Sequence, residues 1–315
     1  MTRKYIIGSR GSELALWQAN FVKTLLQDLF RDRLFEIKII KTTGDQLLDI
    51  ALSKIEDKGL FTKQIETELL NGEIDFAVHS LKDLQTIQPE GLVIGAVCKR
   101  ETPNDAFISK SHTSIDSLPK GARVATGSLR RRSQLLNFRP DLKIVEIRGN
   151  VPTRLKKFDE SDLDGLILAY AGLHRLGLEE KVSQLIPFSL MLPAVGQGAV
   201  AVEVRDSDSH VLEMTARFDD ESTRICITAE RAFLRRLEGG CQVPIGALAT
   251  LENGRIQLDG MVGSLDGSIV FRELVEGDAD DAETLGIGLA GMLIDKGADN
   301  LLLESRAEAN ASRKR

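Results

Sequence analysis

Three stretches of this sequence combine residue types that can do chemistry. The first is Glu238-Gly-Gly-Cys241-Gln-Val-Pro-Ile-Gly246, a cysteine set between glycines and a proline. Gly239 and Gly240 accept left-handed backbone angles and end the amphipathic run from Ala229 to Leu237, so Cys241 falls in a loop with a defined backbone. A thiol there is a candidate nucleophile; the competing reading is a small buried hydrophobe. The second stretch is Ala77-Val-His-Ser-Leu-Lys-Asp83, at the C-terminal end of a predicted strand, where α/β sheets place ligand groups. Lys82 beside Asp83 holds a carboxylate ionised, ready for a cationic or N–H-bearing substrate. A solvated ion pair is the plainer alternative, and His79 reads equally as a hydrogen-bonded histidine at a strand end.

The third is Thr126-Gly-Ser128-Leu-Arg-Arg-Arg132, a Gly-Ser turn opening a helix with free backbone N–H groups. Arginines in a first helical turn oppose the macrodipole, which costs stability unless an anion sits there. Further arginines follow the same logic of strand ends: Arg148 and Arg154 around Arg148-Gly-Asn150, Arg175 after the next strand, and Arg10 in Gly8-Ser-Arg-Gly-Ser12. Guanidinium forks match carboxylates in two-point contact, so this set predicts a ligand with several carboxylates or phosphates. Gly8-Ser-Arg-Gly-Ser12 lacks the lysine of a P-loop and the spacing of a dinucleotide fingerprint. The four histidines (His79, His112, His174, His210) are scattered, so no metal is expected.

The elements that must position these groups alternate. Strand Lys4 to Ser9, a helix carrying Leu14, Trp17, Phe21, Leu25 and Leu29, and strand 35–39 are followed by an aperiodic stretch, 43–59, read as a mobile loop or lid. A helix near 62–70 and strands 74–79 and 92–98 complete a first α/β unit, and Arg100 to Asp105 looks like a hinge. Strands 123–126, 143–147 and 164–168, with helices from Ser128 and Val151, make a second. Leu192-Pro-Ala-Val-Gly-Gln-Gly198 is a second crossing, and 199–204 a strand able to return to the first sheet. Beyond Glu221 come a helix to Leu237, strands near 247–251, 257–262 and 268–275 with Asn253-Gly254 and Asp266-Gly267 turns, a helix over 282–296, and a polar tail from Ser305 that reads as frayed. The expected fold is α/β, with two similar α/β domains forming a clamp, plus a small C-terminal α+β domain with a three-stranded antiparallel sheet. The expected boundaries are 1–98 plus 199–216, 103–192 and 221–315.

Composition sets outer limits. At 315 residues the chain exceeds one typical core. Its three cysteines are odd in number and widely spaced, which fits neither a disulfide framework nor zinc and suits a reducing cytoplasm. A net charge of −6 gives no reason to expect nucleic acid, and no apolar run has the length of a membrane span or a signal peptide.

These motifs together carry a family resemblance. Ile7-Gly-Ser-Arg-Gly-Ser-Glu-Leu-Ala15, Lys58-Gly-Leu-Phe-Thr-Lys63, Asp75 to Asp83, Ala125-Thr-Gly-Ser-Leu-Arg-Arg131, Ile147 to Asn150, Leu192 to Gly198 and Glu238 to Gly246 fall in family order, and the chain resembles the porphobilinogen deaminases, or hydroxymethylbilane synthases, from about residue 5 to about 300. The resemblance implies a transferase of porphyrin and haem biosynthesis whose two similar α/β domains are periplasmic-binding-protein-like. It joins four porphobilinogen units head to tail with loss of ammonia, and water releases linear hydroxymethylbilane. It implies a dipyrromethane cofactor, made from the same substrate and held by a thioether, here on Cys241. Asp83 matches the catalytic aspartate. Arg10, Arg130, Arg131, Arg148, Arg154 and Arg175 match the arginines that bind acetate and propionate groups, with Ser12, Lys82, Thr126 and Ser128 as further contacts. Gln18, Asp45, Lys58 and Gln197 match positions of the cleft, its lid or its hinge. The resemblance also implies a cytoplasmic monomer. Gln85 departs from the family's usual proline and puts the stiffness of the turn after Asp83 in question. Without the resemblance, a non-catalytic two-lobed polycarboxylate-binding protein fits the arginines equally well; Cys241 and Asp83 separate the two readings. Cys241 then becomes an anchor for a primer, and proton handling moves to Asp83.

Overall fold

The computed structural model describes residues 4–46, 59, 61–237 and 243–313. In chain order they form β1 (Lys4–Ser9), α1 (Glu13–Leu29), β2 (Leu34–Ile39), α2 (Thr43–Gln46), α3 (Lys63–Leu70), β3 (Phe76–Ser80) and β4 (Leu92–Val97). After the first crossing come β5 (Asp105–Ile108), β6 (Arg123–Ala125), α4 (Leu129–Phe138), β7 (Lys143–Val145), α5 (Val151–Asp159), β8 (Gly165–Ala169), α6 (Tyr170–Arg175) and β9 (Gln184–Leu185). The second crossing leads to β10 (Val200–Arg205), α7 (Ser209–Ala216), α8 (Glu221–Arg236), β11 (Ile245–Glu252), β12 (Arg255–Gly263), β13 (Val270–Asp278), α9 (Ala282–Asp295) and α10 (Ala298–Arg313). These residues fall into two compact units, one within 1–48, 57–101 and 198–224, the other within 102–197 and 225–315.

The first unit holds a sheet of order β2-β1-β3-β10-β4, in which β1, β2 and β3 are parallel and β10 runs antiparallel to both β3 and β4. The second unit repeats that plan as β7-β6-β8-β5-β9, with β5 antiparallel to β8 and β9. In each sheet the antiparallel strand is the one that directly follows a crossing. β10 returning to the first sheet is as the sequence predicts. β5 opens at Asp105, the last residue of the stretch that the sequence suggested as a hinge, and β9 is a strand for which the sequence carried no expectation.

Both faces of each sheet are covered, as parallel sheets require. Tyr5, Ile7, Phe76 and Val202 pack against Val22 and Leu26 of α1, and Ile65 and Leu69 of α3 cover the other face. On α1 the buried residues are Gln18, Ala19, Val22 and Leu26, not the predicted stripe; Trp17 and Leu29 are exposed, and Trp17 stacks on Phe21 with ring centroids 5.5 Å apart. The large apolar side chains flank the buried face, and small ones let the helix lie close to the sheet.

The second unit also carries an antiparallel β11-β12-β13 sheet, covered by Ala229 and Phe233 of α8, Leu289 and Leu293 of α9, and Leu301 and Leu302 of α10. Asn253 (φ 51°) and Gly254 (φ 77°) make the two-residue turn expected of Asn-Gly. The expected frayed tail is helical through Arg313, with Ser305 buried. Of the 43–59 stretch, residues 43–46 are a short helix; the lid reading of 47–58 lies outside the described residues.

Candidate functional site

In the first unit the candidate residues Arg10, Ser12, Lys82 and Asp83 stand just past the ends of β1 and β3. β1 runs into Arg10-Gly-Ser12, and the Ser12 Oγ caps α1 by accepting from the Ala15 N–H at 3.4 Å. The Arg10 guanidinium lies over the Phe61 ring, 4.1 Å from its centroid, which holds the arginine at the strand end. β3 ends at Ser80 and tightens into a 3₁₀ turn, Leu81–Asp83. Leu81 and Leu84 are buried, and the Leu81 N–H donates to the Ala199 carbonyl at 3.0 Å. Two apolar anchors pulled inward leave Lys82 half-buried and Asp83 exposed. Gln18, buried on α1, donates to Ser80 Oγ at 2.8 Å and fixes the start of that turn. Leu84 has φ −77° and ψ 143°, the extended conformation a following proline would impose, and the Gln88 side chain donates to the Gln85 carbonyl at 2.9 Å. The turn after Asp83 therefore keeps its shape with Gln85.

Beneath it lies a cluster the sequence did not reveal. His79 Nε2 stands 3.4 Å from Glu203 Oε2, both side chains are buried, and neither Glu203 oxygen has a hydrogen-bond partner among the described residues. Burial raises the Glu66 pKa above its ordinary 4.5, repulsion from Glu203 adds to the rise, and the Thr62 hydroxyl and His79 oppose it. These residues meet because His79 on β3 and Glu203 on β10 occupy diagonal positions on one face of an antiparallel pair.

The second unit repeats the geometry with opposite charge. β6 runs into Thr126-Gly-Ser128, and Ser128 Oγ caps α4 by accepting from the Arg131 N–H at 3.5 Å. Thr126 is buried, its N–H donates to the Val145 carbonyl at 2.9 Å, and its Oγ1 accepts from the Ser128 N–H at 3.2 Å. A Cβ on Gly127 would stand 3.0 Å from the Ile147 carbonyl, so the turn is packed against the end of β7. Arg130 and Arg131, each 5% exposed, both point at Asp105, which is 0% exposed. Arg130 donates through one terminal nitrogen to Asp105 Oδ2 and to the Leu192 carbonyl, each at 2.7 Å. Arg131 donates to Oδ1 through Nε at 3.1 Å and a terminal nitrogen at 2.8 Å, and to the Ile167 carbonyl at 3.0 Å. Gln197 Nε2 completes the shell at 2.9 Å. Burial alone would raise the Asp105 pKa; the two guanidiniums outweigh it and hold the carboxyl well below its ordinary range.

The other arginines frame the ends of β7 and β8. Gly149 has φ 117° and a Cβ there would meet Thr153 at 2.6 Å, so only glycine lets Arg148 turn into α5. Asn150 caps that helix, and Arg154 Nε donates back to the Gly149 carbonyl at 2.7 Å. Arg148 pairs with Glu146, and Arg175 closes α6. Cys241 and Lys58 lie outside the described residues, and of Asp45 only its place in α2 is described. The exit of the cysteine loop is fixed: Val243 is buried, and the Pro244 carbonyl accepts from the Gly263 N–H at 3.0 Å. Among the described residues no group of side chains suits a metal ion, and no helix is long and apolar enough to cross a membrane.

The donor set suits a carboxylate-bearing prosthetic group. Two guanidiniums share one carboxylate, leaving a surplus positive charge, and Arg130 Nε is a buried donor with no partner among the described residues. Asp105 is the residue that sequence reasoning missed; its signal was a charged residue opening the apolar run Ala106-Phe-Ile108.

Paired α/β sheets with polar and cationic residues at parallel strand ends define a class of protein that binds small anionic ligands there. Relatives narrow the class. The family described as "Porphobilinogen deaminase, dipyromethane cofactor binding domain" matches residues 5–213, and "Porphobilinogen deaminase, C-terminal domain" matches 224–295. A porphobilinogen deaminase of Pelotomaculum thermopropionicum is 53% identical over 308 residues, covering 98% of this chain and 99% of that one. One of Carboxydothermus hydrogenoformans is 52% identical over 310 residues, covering 98% and 100%. Among solved structures, a methionine-binding protein is similar at 15% identity and TM-score 0.42, covering 68% of this chain and 89% of that one. The chain belongs to the porphobilinogen deaminase family.

Proposed function

We propose that the chain is a hydroxymethylbilane synthase, a transferase that condenses four porphobilinogen units with release of ammonia and frees the linear tetrapyrrole with water. The observation that carries this reading is family membership over both matched regions, together with a carboxylate, Asp83, held out on a turn anchored by Leu81 and Leu84. A binder of polycarboxylates has no need of that carboxylate, so family and turn together favour the enzyme. Asp83 takes and returns the protons of the substrate ammonium and pyrrole N–H. Arg10, with Ser12, and Arg148, Arg154 and Arg175, with Thr126 and Ser128, hold acetate and propionate groups at the strand ends. Gln18 orients the Asp83 turn, and Asp45, Lys58 and Gln197 serve the lid and the crossing.

The dipyrromethane cofactor of this family, tethered through Cys241, supplies the pyrrole carbon that accepts the first substrate unit. Arg130 and Arg131 are the residues that hold its carboxylates, and the orphaned Arg130 Nε supports that assignment. The three separate sheets support three domains, 1–98 plus 199–216, 103–192 and 221–315. The protein acts as a cytoplasmic monomer.

Intact mass tests the reading. The purified chain is expected to carry an added dipyrrole that is lost in Cys241→Ser, and to release one ammonia per porphobilinogen consumed. A bare mass together with unconsumed porphobilinogen would overturn it.

A further inference from the structure

We propose that Asp105 is a positioning residue: its buried carboxylate aligns Arg130 and Arg131 for ligand carboxylates and, through Gln197, ties that pair to the second crossing segment. The inference rests on the reading that the ligand bears carboxylates. Two guanidiniums brought together in a water-poor site repel each other, and a single carboxylate between them is what lets both stand there. A merely structural ion pair would be neutral. Here two cations meet one anion, all three nearly out of solvent, so among the described residues a charge of +1 stays uncompensated until a second anion arrives.

Gln197 joins this cluster to the backbone of both crossings. Its Nε2 donates to Asp105 Oδ1 at 2.9 Å and to the Pro103 carbonyl at 2.7 Å. The preceding residue is gripped from the other side: the Gly196 N–H donates to Glu230 Oε2 at 2.8 Å, and Glu230 Oε1 accepts from the Ala249 N–H at 2.9 Å. Glu230 is 0% exposed and sits on α8, the helix that leads into the Cys241 loop. A continuous run of buried hydrogen bonds thus joins α8, Gly196-Gln197, Asp105 and the arginine pair. The arginines are held in place by the same contacts that fix the crossing segment.

The test uses the full chain prepared without cofactor and incubated with porphobilinogen, and reads two quantities: the rate of pyrrole uptake by intact mass, and the urea midpoint. Asp105→Asn is expected to slow uptake at least tenfold in protein that is still folded, and Gln197→Met about threefold. The double variant should be no slower than Asp105→Asn, since both act through one cluster. Asp105→Glu, which keeps the charge, should recover part of the loss. A purely structural role would lower the urea midpoint and leave the uptake rate of folded protein unchanged, and that result, or effects that multiply in the double variant, would overturn the proposal. If Asp105→Asn does not fold, Gln197→Met decides alone, because its ion pairs stay whole; uptake at the wild-type rate then sinks the idea. Failure of the unaltered chain to take up pyrrole would instead count against the proposed function.

Discussion

The two five-stranded sheets share one strand plan and differ in the charge they bury. In each, the antiparallel strand that comes after a crossing carries a buried carboxylate, Glu203 on β10 and Asp105 on β5. In each, the first parallel strand runs into a serine-capped helix, at Ser12 and at Ser128. The partners diverge. Asp105 meets two arginines, whereas Glu203 faces a histidine and lies near a second carboxylate, Glu66. The segments after the third parallel strand diverge too: a short turn presents Asp83 after β3, and a helix ending in Arg175 succeeds β8. On the proposed function, one frame serves proton handling in one unit and anion holding in the other.

The largest expected effect breaks the comparison at Asp83. Asp83→Asn should lower kcat by about 10²–10⁴-fold, the range of a lost proton-transfer group, with KM little changed. Arg148→Leu should chiefly raise KM. Steady-state kinetics of the two variants decide it, and equal effects on kcat would erase the division of labour. Next comes the buried charge. Arg131→Leu removes three donated hydrogen bonds and should cost about 3 kcal/mol in urea unfolding. Glu203→Gln, by contrast, alters a buried carboxyl group whose oxygens have no hydrogen-bond partner among the described residues, and should be neutral or stabilising by up to about 1 kcal/mol.

The smallest effect is one of pH, with opposite signs in the two units. The native Glu66 carboxyl holds its proton where the unfolded chain releases it, so its contribution is greatest in acid and is lost as pH rises through the raised value. The native Asp105 carboxylate stays ionised where the unfolded chain takes up a proton, so its contribution is present above the ordinary 3.8 and lost as pH falls. Glu66→Gln should flatten the decline of stability as pH rises above the ordinary 4.5, by at most about 1.4 kcal/mol per pH unit. An unchanged profile in urea melts above that value would remove Glu66 from that account.

Much of this was legible in the sequence, for local reasons. Gly-Ser turns, alternating strands and the Asn253-Gly254 hairpin act over a few residues, and the residues that flank a strand end are written next to it. The features that escaped depend on distant partners. Asp105 looked like hinge punctuation because the arginines that neutralise it lie on another helix and Gln197 lies on the other crossing. The buried face of α1 was misread because Trp17 and Leu29 are apolar yet sit at its edge, while Gln18 is polar and buried through its bond to Ser80. The tail looked frayed because its polar residues outnumber Leu301, Leu302 and Ser305, which anchor α10.

The swapped crossing strand also sets an order of events during synthesis. β4 pairs in its sheet with β10 alone, so Leu92 to Val97 leave the ribosome long before Val200 to Arg205 can receive them. The sheet of the second unit, from β5 to β9, is complete by Leu185. Of the two five-stranded sheets the N-terminal one, though begun first, is closed last, and until then β3 and β4 present open edges to whatever binds nascent chains.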